Sequence, residues 1–229
     1  MEGVAKPFHK PLLEINGIPL LVYAAEYASA AGALRVTVVV SPHNIGDVEK
    51  VLKPYIPWVR IVVQEDPLGP GHAALVGLDQ VTEEKTMLLM SDNIMDSAAV
   101  VSMATRCAIE NKDAVGIRVV NPAQASRFTR VRCQDDGVLT YVEGSEIDEK
   151  DFWPGLDNRE NVKVWCGPLI FNSAKCRDVL RAEFALLDGQ NGELKIGPYL
   201  NKIIGEDPIL VDVQSMDVGI PSVYSELTK

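Results

Sequence analysis

Three stretches of the chain carry residues whose types and spacing suit phosphate and nucleotide chemistry. The first is Gln64-Glu65-Asp66-Pro67-Leu68-Gly69-Pro70-Gly71-His72-Ala73. It follows a strand-like run and opens a helix-like one. Gly69 and Gly71 let backbone approach a ligand with no Cβ between them. A helix N-terminus offers free N–H groups to an anion or a base carbonyl. Gln64 carries an amide that both donates and accepts, which suits a nucleobase edge. The same spacing also describes a plain strand–turn–helix connection. The second stretch is Leu88-Leu89-Met90-Ser91-Asp92-Asn93. An acidic residue just past the carboxyl end of an apolar strand sits where open α/β sheets bind ligands. A hard cation such as Mg²⁺ takes one or two such carboxylates plus phosphate oxygens. The third, Met216-Asp217-Val218-Gly219-Ile220-Pro221, places a second carboxylate after another strand-like stretch. Either aspartate reads equally well as a helix cap or turn residue, Asp92 for the helix opening at Ser97. Lys10, beside Pro11, has an ammonium to aim at a phosphate, or is simply a solvated lysine. No histidine has a Ser or Cys partner in a nucleophile turn.

Alternating helix and strand patterns position these stretches. Residues 18–31 are Ala-rich with helical spacing, and Gly32 stops them. Residues 35–40 (RVTVVV) are β-branched and nearly all apolar, a buried parallel strand. A helix over 45–52 and strands over 59–63 and 86–90 follow, with helices over 72–81 and 97–111 and a strand over 113–119. This alternation predicts βαβ units and a doubly wound sheet. The second half is mixed: a hairpin from 128–133 and 138–142 around Asp135-Asp136-Gly137, an irregular polar stretch over 143–161, and a strand over 162–171. Helices over 176–187 and 196–204, a strand over 208–213 and a last helix over 222–227 close it. The expectation is one domain over 1–229, with a nucleotide-binding half (1–120) and an acceptor half (121–229) that covers the carboxyl end of the sheet.

Composition excludes several classes. The chain has 229 residues, 47% of them hydrophobic and 24% charged, ordinary for a globular protein. Its formal net charge of -10 repels a phosphate backbone, so nucleic acid is not an expected partner. No apolar run is long enough to span a membrane, and the first ten residues lack the apolar segment of a secretory signal. Cys107, Cys133, Cys166 and Cys176 form no CxxC pair and His9, His43 and His72 are scattered, which gives zinc little support. Reduced, buried thiols and a cytoplasmic location are expected.

Taken in order, these pieces resemble the sugar-1-phosphate nucleotidyltransferase family. They come nearest to the uridylyltransferases of N-acetylglucosamine 1-phosphate, with features shared by glucose-1-phosphate thymidylyltransferases. Lys10-Pro11-Leu12-Leu13 through Gly17-Ile18-Pro19-Leu20 resembles the family's KPL–G–PL segment, Leu68-Gly69-Pro70-Gly71-His72-Ala73 its LGTGHA turn, and Asp217-Val218-Gly219-Ile220-Pro221 its late D-x-G-T-P segment. The resemblance implies a Rossmann-like α/β core with a mixed, mainly parallel sheet flanked by helices. It implies Mg²⁺-dependent attack of a sugar 1-phosphate on a nucleoside triphosphate, UTP or dTTP favoured, with release of pyrophosphate. Asp92 and Asp217 would hold the metal, and Lys10 would contact phosphate. Gln64 with Leu68, Gly69, Pro70 and Gly71 would read the base. Glu143 and Gly167 would bind the sugar. Self-association into a homo-oligomer is left open, and no appended β-helix or acyltransferase domain is expected.

The departures from the family pattern are specific. The family's first strand and Gly-rich phosphate loop are not found ahead of Lys6. That strand is central in the family sheet, so its loss would leave two unpaired strand edges and a gap in the core. Either the protein begins upstream of Met1 or the chain has lost triphosphate handling. On the acceptor side Val142-Glu143-Gly144 stands where the family has VEKP or an equivalent lysine, Thr129 where it has glycine, Trp165-Cys166 before Gly167 where it has Asn-x, and Pro70 where it has threonine. Two rival readings follow: a degenerate, non-catalytic nucleotide or nucleotide-sugar binder, and a transferase for another phosphorylated acceptor.

Overall fold

The computed structural model describes residues 10–125, 128–133, 139–143, 162–187 and 192–218. The expected last helix over 222–227, the hairpin turn over 135–137 and the stretch 144–161 lie outside the described residues. A 3-10 turn, Lys10–Leu12, leads into a small hairpin of β1 (Glu14–Ile15) and β2 (Ile18–Pro19). Asn16 (φ 53°) and Gly17 (φ 75°) both take left-handed backbone, the two-residue turn whose twist matches paired strands. The helix expected from residue 18 therefore starts later, as α1 (Leu20–Ala30). It closes at Gly32 (φ 79°), where the N–H groups of Gly32 and Ala33 donate back to the carbonyls of Ser29 and Ala28.

The next elements are β3 (Thr37–Val40), α2 (Ile45–Leu52), β4 (Arg60–Val63), α3 (Pro70–Leu78), β5 (Lys85–Leu88) and β6 (Asn93–Met95). After these come α4 (Ser97–Glu110), β7 (Ala114–Val120), α5 (Pro122–Ala125), β8 (Thr129–Cys133) and β9 (Leu139–Glu143). The chain continues with β10 (Val162–Asn172), α6 (Ser173–Leu186), α7 (Leu200–Ile203), β11 (Ile209–Asp212) and β12 (Ser215–Asp217). The largest sheet runs β11-β7-β10-β8-β9, and β5 shares with β8 the edge of β10 away from β7. Strand β10 is antiparallel to β5, β7 and β8, while β11 is parallel to β7. So β5, β7, β8 and β11 point one way, and β9 and β10 the other. The expected α/β class, with a mixed sheet between helices, is what the chain forms.

Side chains alternate across β10 as a pleated strand requires. Leu169 and Phe171 pack with Leu75 and Leu78 of α3 and Leu180 of α6, while Cys166 and Ile170 pack with Val100, Met103 and Cys107 of α4. A register break between Trp165 and Leu169 holds Gly167 (φ 123°) and Pro168. Gly116 on β7 faces that break: a Cβ there would stand 2.4 Å from Pro168 Cγ, so only glycine fits.

Strands β3 and β4 form a separate parallel pair. Among the described residues β3 pairs with β4 alone and β5 with β10 alone. Between them lies a cavity of about 1100 Å³ lined by consecutive residues of both strands. Consecutive residues point to opposite faces, so the cavity meets both strands at their edges. Helix α3 lines it as well, and so do α1 and α4. Across it the guanidinium of Arg35, ahead of β3, pairs with Glu83, ahead of β5, at 3.0 Å. The strands therefore begin together and run the same way along the cavity. Among the described residues, β3 and β5 each leave one edge unpaired along this cavity. These open edges explain why Thr37, Val38 and Val39 are only half-buried where the sequence predicts a buried strand. No described helix is long and apolar enough to cross a membrane.

Candidate functional site

Because β3, β4 and β5 run the same way, their carboxyl ends share one rim, where Gln64 follows β4 and Asp92 lies beyond β5. The Gln64 backbone N–H donates to the Val40 carbonyl at 2.8 Å, which fixes the start of the turn to β3. Its amide Nε2 donates to the Gly69 carbonyl at 3.2 Å and lies 3.0 Å from His72 Nδ1. The His72 ring stacks on Phe184 of α6, with centroids 4.7 Å apart. Helix α3 opens at Gly69 (φ 92°) with Pro70 in its first turn, where a missing N–H costs nothing.

The glycines of this turn have a packing duty that the sequence did not reveal. The Leu68 carbonyl accepts from the Leu194 N–H at 2.8 Å, and the Gly71 N–H donates to the Leu194 carbonyl at 2.6 Å. A Cβ at Gly69 would stand 2.8 Å from Glu193 Cβ, and one at Gly71 2.7 Å from the Lys195 carbonyl. Residues 193–195 of the chain itself thus come close to the turn. Pro70 stays exposed.

The backbone segments that carry the two aspartates come together. The short strand β6, absent from the sequence expectation, pairs antiparallel with β12, and Asp217 sits opposite Asn93. The Val218 N–H donates to the Asp92 carbonyl at 3.0 Å. Two carboxylate-bearing positions far apart in sequence therefore lie side by side on one bridge. The cap of α4 belongs to Asp96, whose carboxylate accepts from the Ala98 N–H at 3.0 Å. Asp92 does not cap that helix, so the helix-cap alternative is overturned. Among the described residues no group of three or more metal-binding side chains occurs. Two aspartates do fit a hard cation that draws its other oxygens from phosphates and water. The side chain of Asp217 lies outside the described part of the chain.

Three residues that sequence reasoning missed hold this bridge. Asn93 Nδ2 donates to the Cys166 carbonyl at 3.0 Å. Tyr27 on α1 takes the Met95 N–H on its hydroxyl at 3.1 Å, and burial raises its phenol pKa. Arg118 on β7 donates to the Ser215 carbonyl at 2.5 Å and lies over the Phe128 ring. No local motif marks any of them, because each acts across the fold. Gly167 belongs to the same place: a Cβ on it would stand 2.6 Å from Asn93 Nδ2. Its left-handed backbone and this contact both demand glycine.

Lys10 is exposed at the head of the 3-10 turn, and the hairpin after it packs against the bridge: Ile15 and Leu20 are buried with Val218, and Leu13 and Ile94 lie against them. Glu143 ends β9 opposite Thr129. That places its backbone on the outer strand of the sheet, two strands from Gly167, and its side chain lies outside the described part. The turn over 64–72 and the β6–β12 bridge beside Gly167 are thus both formed, and the hairpin that follows Lys10 packs against the bridge.

A family model described as MobA-like NTP transferase domain matches residues 3–196. The bifunctional protein GlmU of Carboxydothermus hydrogenoformans is 24% identical over 203 residues, covering 89% of this chain and 41% of that protein. The chain thus spans about two fifths of the length of such relatives. An apo UDP-glucose pyrophosphorylase has a TM-score of 0.72 at 19% identity, covering 96% of this chain and 88% of its own. HddC from Yersinia pseudotuberculosis, in complex with GMP-PN, has a TM-score of 0.64 at 17% identity, covering 100% and 92%. At such identities the structural likeness establishes the fold alone.

Proposed function

The chain belongs to the MobA-like NTP transferase domain family, and from that premise we propose that it transfers a nucleotidyl group from a nucleoside triphosphate to a sugar 1-phosphate. The observation that supports the reading is the β6–β12 register, which pairs Asp217 with Asn93, the residue after Asp92. In this reading the whole chain is one working unit, its first half holding the nucleotide and its second the acceptor. It acts in the cytoplasm, in nucleotide-sugar synthesis.

A sugar phosphate oxygen attacks the α-phosphorus in line. The bond from that phosphorus to the oxygen bridging the β-phosphate breaks, and pyrophosphate leaves. No proton need move if the attacking phosphate is ionised, so the protein's task is positioning and electrostatics. Gln64 and the backbone of residues 68–71 hold the base, with uracil or thymine favoured. Lys10 places an ammonium toward phosphate. Asp92 and Asp217 would hold Mg²⁺, which when bound neutralises charge on the phosphate oxygens. Glu143 and Gly167 face the acceptor sugar. The test is pyrophosphate release with Mg²⁺, each of four triphosphates and a panel of sugar 1-phosphates. We expect one pair to react, and Asp92→Asn or Asp217→Asn to lower the rate at least about a hundredfold. Full activity in both variants would sink the assignment.

One observation favours a second reading. The cavity between β3 and β5 keeps their facing edges apart among the described residues, which suits a non-catalytic nucleotide or nucleotide-sugar binder. Saturable nucleotide binding with no pyrophosphate release from any pair would select it.

A further inference from the structure

The amide of Gln64 is held from two sides, and one of the two holders is a histidine with no part in the chemistry above. The Gly69 carbonyl can only accept, so the atom 3.2 Å from it must be the amide nitrogen. The same nitrogen lies 3.0 Å from His72 Nδ1. An amide nitrogen only donates, so Nδ1 must accept, and His72 is neutral with its proton on Nε2. Both amide hydrogens are then used. Oε1 is the side-chain atom of Gln64 that engages no partner among the described residues. The His72 ring is itself fixed by its stack on Phe184, tilted 19°.

We propose that His72 is a positioning residue that locks the Gln64 amide so that the turn offers a hydrogen-bond acceptor, selecting pyrimidines that present an imino N–H over cytosine. The inference rests on the nucleotide reading above. Uracil and thymine carry N3–H and meet Oε1 as donors. Cytosine carries a lone pair at N3, and two acceptors would face each other. Turning the amide over to suit cytosine would set Oε1 against the Gly69 carbonyl and the lone pair of His72 Nδ1. With only the longer Gly69 bond left, the amide plane swings and the preference weakens.

The test is direct binding of UTP and of CTP, each with Mg²⁺, by calorimetry on the full chain. The wild type is expected to favour UTP by about tenfold or more, the scale of one buried polar mismatch. His72→Phe keeps a ring on Phe184 but removes the acceptor, and should bring the UTP to CTP ratio close to one. His72→Asn loses the ring yet returns an oxygen acceptor near the Nδ1 position, and should restore most of the ratio. An unchanged ratio in His72→Phe overturns the proposal. So does an equal loss of both ligands in His72→Phe and His72→Asn, which marks a merely structural histidine. A wild type that binds neither nucleotide overturns the nucleotide reading itself, a separate result.

Discussion

Strands β3 and β10 are both rich in Val and other β-branched or apolar residues, yet they end in opposite conditions. Strand β10 is paired on both edges, and Val164, Leu169 and Phe171 are essentially inaccessible. Strand β3 is paired on one edge, borders a cavity of about 1100 Å³, and buries fully only Val40. A run such as TVVV states that a strand should be enclosed; whether it is enclosed depends on neighbours elsewhere in the chain. The well-filled region carries Gly167, and the open region reaches Pro70 and Ala73 of the turn after β4.

The largest expected effect separates the two regions by truncation. Phe171→Ala should cost about 3–5 kcal/mol, because a fully enclosed ring leaves a cavity behind. Val164→Ala should cost clearly more than Val39→Ala, although the deletion is the same. Urea unfolding of the three variants checks this, and equal costs at Val164 and Val39 would break the comparison. The next effect is of opposite sign in the two regions. Ala114→Leu, on β7 at 0% exposure, should overpack and cost about 1–3 kcal/mol. Ala28→Leu, on the helix face that lines the cavity, has room and should be neutral or stabilising by about 1 kcal/mol. A cost at Ala28 matching that at Ala114 would mean that the cavity is filled in solution. A smaller effect is expected at glycines. Gly116→Ala must displace Pro168 and destabilise, while Gly46 in α2 has nothing within 4 Å of an added Cβ. Gly46→Ala should therefore stabilise by about 0.5–1 kcal/mol, the usual gain inside a helix, seen as a higher midpoint in thermal melts.

Much of this arrangement was legible in the sequence, for local reasons. Helix α2 and strands β3 and β4 are close to their periodicity, and β8 and β9 pair antiparallel as their sequence pattern predicts. What escaped was non-local. Strand β6 has three residues and no pattern of its own; it exists because β12 pairs with it and Tyr27 and Asn93 hold it. The packing of Gly69 and Gly71 on residues 193–195 also escaped, since nothing nearby announces that those residues return to them. The helix cap that Asp92 also suggested belongs to Asp96, four residues on. The start of α1 was misplaced because the Asn16-Gly17 turn pulls Ile18 and Pro19 into a strand.

The smallest expected effect at neutral pH concerns the thiols, and it divides the same two regions. Burial pushes the Cys166 thiol from the usual 9.0 up to about 11 and that of Cys176 up to about 12. Both lie in the filled region. Cys107 borders the cavity and donates to the Lys112 carbonyl at 2.9 Å; burial raises its pKa too. A thiol whose folded pKa exceeds its unfolded value holds its proton in the folded state longer. Its contribution is therefore fully present below pH 9 and is lost as pH rises through about 11 to 12. Stability should fall over that window, and Cys166→Ala with Cys176→Ala should flatten the fall. Thiol labelling in a Cys133→Ser background at pH 8.5 adds the spatial half of the test. Cys107 should react first, through transient opening at the cavity, with Cys166 and Cys176 reacting only on global unfolding. Equal labelling rates at all three would mean that the open side of the sheet is as tightly closed as the filled one.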